Sequence, residues 1–99
     1  MADHEGEPTR VLRLYVAGDS TNTQRALLNL QAVVDGCAVH CRVEVIDLEA
    51  HPWEAFPDNV LVTPILLQMG PHPRRRIIGA LDDPAAVRLA LGLPTKGER

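Results

Sequence analysis

Aromatic residues are nearly missing from this chain. One Trp, one Tyr and one Phe stand among 99 residues. Aliphatic side chains must therefore fill the interior, and no aromatic platform is available to stack against bases. Positive charge is not in excess either. A net charge of −3 is not the electrostatic footprint of a nucleic-acid binder. No apolar run approaches the ~20 residues that cross a bilayer. The opening Met-Ala-Asp-His-Glu-Gly-Glu is acidic and polar, which argues against a secretory signal. Cysteine is scarce: Cys37 and Cys41 are the two present. Without a secretory signal they are expected as free thiols in a cytoplasmic protein. No Gly-rich phosphate loop occurs, since Gly18 alone does not make one. What remains is ordinary for one globular domain, at 45% hydrophobic and 23% charged residues.

The chain reads as a polar leader over 1–9, one domain over 10–93 and a polar tail over 94–99. Val11 to Ala17 is apolar on both faces apart from Arg13, which predicts a central strand covered on both sides. Asp19-Ser20-Thr21-Asn22 supplies four helix-capping residue types, with Thr21 and Gln24 spaced as a capping box. Ala26, Leu27, Leu30, Val33 and Val34 then repeat at helical spacing, predicting a helix over about 23–35 that stops at Gly36. Cys41 to Leu48 predicts a second strand beside the first, through a right-handed crossover. Pro52 and Pro57 bracket a helical turn or two, with Trp53 and Phe56 expected to plug the sheet edge. Asn59 to Gln68 is an apolar run interrupted by Pro64. Proline cannot donate inside a central strand, so it must open strand three, and a cis bond after Thr63 is to be suspected there. Gly70-Pro71-His72-Pro73 is a turn, Arg74 to Ile78 an antiparallel fourth strand, and Asp82 or Asp83 caps a last helix starting at Pro84. The order is β-α-β-α-β-β-α around a mixed four-stranded sheet, an α/β arrangement of thioredoxin-like type.

Chemistry is harder to find than structure. A thioredoxin carries Cys-x-x-Cys where strand one meets the helix N-terminus. Here that place holds Gly18-Asp19-Ser20-Thr21-Asn22-Thr23, so dithiol exchange there is excluded. Ser20 could still bind an anion, as in glutathione-handling relatives of the fold, against plain capping as the alternative. Cys37 and Cys41 with His40 between them invite a metal reading, but a second ligand pair is missing. Buried structural thiols are the simpler account. Arg74-Arg75-Arg76 is the densest charge. In a strand Arg75 points away from the other two, giving either an edge guarded against aggregation or a docking surface for an acidic partner. His4, His40, His51 and His72 form no triad. Asp47, Asp58, Asp82 and Asp83 read as strand-end and capping residues rather than catalytic carboxylates.

With these elements placed, a family resemblance emerges. Leu14-Tyr15-Val16-Ala17-Gly18, Asn22, Arg25-Ala26-Leu27, Val45-Ile46-Asp47, Thr63-Pro64, Arg75-Arg76-Ile77-Ile78-Gly79 and Leu81 together resemble the KaiB family of circadian clock proteins, over roughly residues 11–92. The N-terminal sensor domain of the clock-output histidine kinase is similar. The resemblance implies a non-enzymatic protein without a cofactor. It implies binding to the first ring of a KaiC-like hexameric ATPase, opposition to its phosphorylation, and further partners such as a KaiA-like protein or the histidine kinase. It also implies homo-oligomers, dimer or tetramer, and a second fold of order β-α-β-β-α-α-β in which the chain from about residue 50 onward rearranges. The partner-facing positions it points to are Arg25, Asn59, Gln68, Arg74, Arg75 and Arg76. Asn59 and Gln68 replace lysines of the family. Its structural or switch positions are Gly18, Thr63, Pro64 and Gly79. Two other readings compete: a thioredoxin-fold redox or glutathione-type protein, and a stress-signalling adaptor.

Overall fold

The computed structural model describes residues 8–70 and 74–97. Most of the expected leader, the turn at 71–73 and the last two residues lie outside the described residues. Strand β1 (Arg10–Val16) leads to helix α1 (Thr21–Asp35) and strand β2 (Cys41–Asp47). A 3-10 turn (Pro52–Ala55) precedes β3 (Ile65–Gly70), β4 (Arg75–Ile78) and α2 (Pro84–Ala90). The sheet order is β2-β1-β3-β4. β1 runs parallel to β2 and antiparallel to β3, and β3 is antiparallel to β4. This is the first of the two expected orders.

β1 sits at the centre because both of its faces are apolar. Leu12, Leu14 and Val16 join Leu66, Ala26, Leu30, Val33, Val87 and Leu91 beneath the two helices. On the other face Tyr15, Ile65, Leu67 and Val60 make a smaller cluster, with Ile46, Leu48, Ala55 and Met69 packed against it. Among the described residues no α-helix covers this second face. The segment between β2 and β3 lies there instead.

Local chemistry explains the helix ends. Ser20, not Thr21, caps α1: its Oγ accepts from the Thr23 amide at 3.1 Å and donates to Thr23 Oγ1. Thr23 thus stands at the third helical position and is buried, while Leu27 is exposed. The expected box failed because Gln24 turns back to Asp19 Oδ1 instead. Asp83 caps α2, accepting from Ala86 N at 3.1 Å. That leaves Asp82 free to pair with Arg25.

Trp53 and Phe56 do not plug the sheet edge. They are 60% and 81% exposed. The 3-10 turn is too short to present an apolar face of its own. Its backbone is tied down by Val60 N donating to Ala55 O at 2.9 Å, and Val60 and Ala55 do the packing.

Candidate functional site

The second sheet face is built in cross-strand rows. Strand register places Glu44, Arg13, Leu67 and Arg76 in one row across the sheet, and Ile46, Tyr15, Ile65 and Ile78 in the next. Arg13 is an ion in the middle of a central strand. Burying it requires a carboxylate, and two are present: Glu44 at 2.8 Å and Asp58 at 3.1 Å.

Asp58 is the centre of this face. It belongs to the loop that follows the 3-10 turn, and it is buried. The Tyr15 hydroxyl donates to Oδ2 at 2.8 Å, and Arg13 Nη1 shares that oxygen. Arg74 Nη2 donates to Oδ1 at 3.1 Å, and Arg76 donates to the Asp58 backbone carbonyl. Burial works to raise the Asp58 carboxyl. Hydrogen bonds from Tyr15 and Arg74 and the charge of Arg13 outweigh it and hold the group below the usual carboxylate range. Burial, followed by the bond to Asp58, pushes the Tyr15 hydroxyl up.

An open cleft of about 280 Å³ lies over this hub, lined by Pro57, Asp58, Asn59, Leu67, Gln68 and Arg74 to Arg76. Arg76 faces it from β4, and Arg74, the residue before that strand, faces it from two positions earlier, as extended-chain alternation allows. Arg75 turns the other way, to Ala90 O at 2.6 Å on α2. Arg75 and Arg76 are bonded to neutral carbonyls, and neither forms an ion pair with a carboxylate among the described residues. They are the unneutralised positive charge of this edge. Asn59 is exposed, with φ 55°, a left-handed conformation that asparagine tolerates. Gln68 departs from expectation. It is 2% exposed and its Oε1 accepts from Arg10 Nη1 at 3.4 Å. Its position on β3 turns it toward the helical side, so in this fold it is not an exposed partner contact. Arg25 lies away from the cleft on α1, exposed and bonded to Asn22 Oδ1 and to Asp82.

The expected structural positions gather at one end of the sheet. Tyr15 pairs with Ile65, so the end of β1 meets the start of β3. The Thr63-Pro64 bond is cis. Gly79, at φ 112°, donates its amide to Pro64 O at 2.9 Å. Gly18, at φ 69°, donates to Asp47 Oδ1 at 2.9 Å. Asp47 also accepts from Glu49 N, and these backbone donors lower its carboxyl, that of Gly18 foremost. Arg10 pairs with Cys41 at the far end of the sheet. Seven strand residues, roughly 20 Å, therefore separate the thiols from Pro64. The cysteines are not at the thioredoxin dithiol locus. Among the described residues no group of three or more His, Cys, Asp or Glu is placed to hold a metal. No helix among them is long and apolar enough to cross a membrane.

Sequence reasoning missed Asp58 as a hub and missed the exposed apolar residues beside it. Trp53, Phe56, Leu61 and Val62, all in the covering segment, and Ile78 on the β4 edge face solvent. The signal for Asp58 was available: an arginine inside an apolar central strand demands a buried acid.

A profile of the KaiB domain matches residues 13–93. The chain is 41% identical over 87 residues to the circadian clock oscillator protein KaiB of Prochlorococcus marinus, spanning 86% of this chain and 74% of that protein. It is 34% identical over 88 residues to the circadian clock protein KaiB3 of Synechocystis, spanning 88% and 86%. Among solved structures, the N-terminal domain of Synechococcus elongatus SasA matches with a TM-score of 0.69 at 24% identity, over 82% of this chain and 79% of that one. The germline-specific thioredoxin Deadhead of Drosophila melanogaster matches at 0.68 with 11% identity, over 87% and 81%. At such identities the likeness is one of fold, and the fold is thioredoxin-like.

Proposed function

The chain belongs to the KaiB family of circadian clock proteins, and from that membership we propose that it acts without catalysis, by docking on a KaiC-like hexameric ATPase and modulating its phosphorylation or ATPase cycle. The observation that carries this reading is the β4 edge. It presents Arg76 and Ile78 at alternate positions, with Arg74 just before the strand, on the face where the covering segment exposes Trp53, Phe56, Leu61 and Val62. Arg76, bonded to a neutral carbonyl, and Arg74, half exposed and sharing Asp58 with Arg13 and Tyr15, stand next to exposed aromatic residues, which suits a partner surface that is acidic at its rim and apolar at its centre. Arg25 and Asn59 extend the surface. Gln68 contributes by shaping the cleft from beneath. Thr63, Pro64 and Gly79 would tie the start of β3 to the end of β4, and Gly18 the end of β1 to the end of β2. A KaiA-like protein or a clock-output histidine kinase would be a further partner, and homo-oligomers would occlude or present the same surface.

The thioredoxin-type redox reading is disfavoured by position. At the helix N-terminus opposite Pro64 the one suitable group, Ser20, is engaged as a cap. The adaptor reading would use the same surface on another partner.

The test is co-sedimentation of the full chain with a KaiC-like hexamer, with and without ATP. Binding in one condition, weakened at least tenfold by Arg76→Glu or Phe56→Asp, is the expected result. Absence of binding in both conditions sinks the proposal. Binding that neither substitution weakens moves the docking surface elsewhere.

A further inference from the structure

A second constellation lies at the other end of the sheet. Cys37 and Cys41 bracket the turn from α1 to β2, and both pack into the apolar cluster under the helices. Both line an open cleft of about 360 Å³, with Asp35, His40 and Lys96 on its walls. Four residues apart in sequence, the two thiols share one apolar cluster and one cleft wall. Both are free thiols.

We propose that Cys37 and Cys41 are a redox-modification site, closing to an intramolecular disulfide by exchange with a low-molecular-weight disulfide. Their environments set the order of steps. Cys37 is 3% exposed and its Sγ donates to Val33 O at 3.1 Å. Cys41 is half-buried and its Sγ has only a long 3.9 Å contact, to Val39 O. An outside disulfide therefore meets Cys41 first. The Cys41 thiolate attacks one sulfur of that disulfide, forming a mixed disulfide and releasing one thiolate. Cys37, once deprotonated, attacks the Cys41 sulfur and expels the second thiolate. The two protein protons end on the two released thiols. One disulfide is reduced as one is formed.

Burial, followed by the neighbouring Cys37, pushes the Cys41 thiol up to about 12. Burial also raises Cys37, although Cys41 and the cations Arg88, Arg10 and Lys96 work in the opposite direction. Scarce thiolate makes the exchange slow. The turn matters beyond itself. Its backbone carries the C-terminal segment, through Ala38 N to Pro94 O and Lys96 N to Gly36 O, both at 2.8 Å. Closing the ring stiffens the seam on which residues 94–96 are held.

The experiment incubates the full-length protein with oxidised glutathione and reads intact mass and alkylation. The expected product has lost two hydrogen atoms, protects both thiols and retains no glutathione. Its rate of formation rises about tenfold per pH unit above neutrality, as the thiolate fraction does. Cys37→Ser should keep a glutathione adduct on Cys41, whereas folded Cys41→Ser should stay unmodified. A lasting adduct on the wild-type chain, a disulfide-linked dimer, or two thiols that remain alkylatable at high pH would each overturn the proposal. The wild-type measurements need no variant to fold.

Discussion

Replacing Asp58 by Ala is the most direct probe of the second sheet face. Three donors lose their acceptor. The Tyr15 hydroxyl is in a fully buried site, and leaving it unsatisfied costs about 1–3 kcal/mol. Arg13 is mostly buried but keeps Glu44, so its loss is about 1 kcal/mol rather than the ~3–5 kcal/mol of a buried charge left alone. Arg74 is half exposed, and solvent screening holds its share below ~1 kcal/mol. The sum is about 3 kcal/mol, or roughly 15 °C in Tm for a domain of this size. Asp58→Asn keeps one acceptor oxygen and should lose about half as much. The pH dependence separates charge from shape. The Asp58 carboxyl titrates lower in the folded chain than in the unfolded one. Its contribution is therefore complete above the ordinary aspartate value of about 4 and fades as pH falls through the lower folded value. Urea denaturation of wild type, Asp58→Ala and Asp58→Asn at several pH values reads both quantities. A wild-type to Asp58→Asn gap that is as wide at about pH 2 as at about pH 7 would refute the ionic part of the reasoning. A change under ~0.5 kcal/mol for Asp58→Ala would refute all of it.

Other outcomes follow from single features. Ser20→Ala should cost about 1 kcal/mol by orphaning the Thr23 amide, and Ser20→Asp should restore most of that in thermal melts. Gly18→Ala should cost about 1–2 kcal/mol because φ 69° disfavours a Cβ. The added atom would also meet the Glu49 carboxylate at 2.6 Å, a flexible group that can move, so a second change at Glu49 should recover little. Alkaline pH should destabilise the fold. Cys37, Cys41 and Tyr15 all titrate higher when folded. Their contribution is complete below the ordinary thiol value of about 8.5 and is lost as pH rises toward the folded values. A urea midpoint that stays flat from about pH 8 to about pH 10 would contradict those burial assignments.

The expectations that held rest on local rules. Apolar residues on both faces made β1 central, because a strand with two apolar faces must be covered twice. Helical spacing set α1, and Asp83-Pro84 set the start of α2, because caps and the first helical turn are satisfied within a few residues. Pro64 could only open β3, since a ladder cannot use it. Alternation along β4 already separated Arg75 from Arg74 and Arg76. The expectations that failed depend on what lies far away in sequence. Trp53 and Phe56 looked like plugs because aromatic residues are usually buried, yet Val60, Leu48 and Ala55 had already filled the cluster around Tyr15. Gln68 looked like surface until the register with Leu12 and Arg75 put it beneath Arg10. Asp58 looked like a turn residue because its donors are Tyr15, Arg13 and Arg74, 43, 45 and 16 positions away. The sequence by itself determined the elements, their order and the absence of a dithiol at the helix N-terminus, because these follow from periodicity, backbone limits and residue identity within one segment. Only the tertiary structure decided which charges neutralise one another, which apolar residues stay outside, and that the two cysteines line one cleft, because those depend on distances that chain folding alone creates.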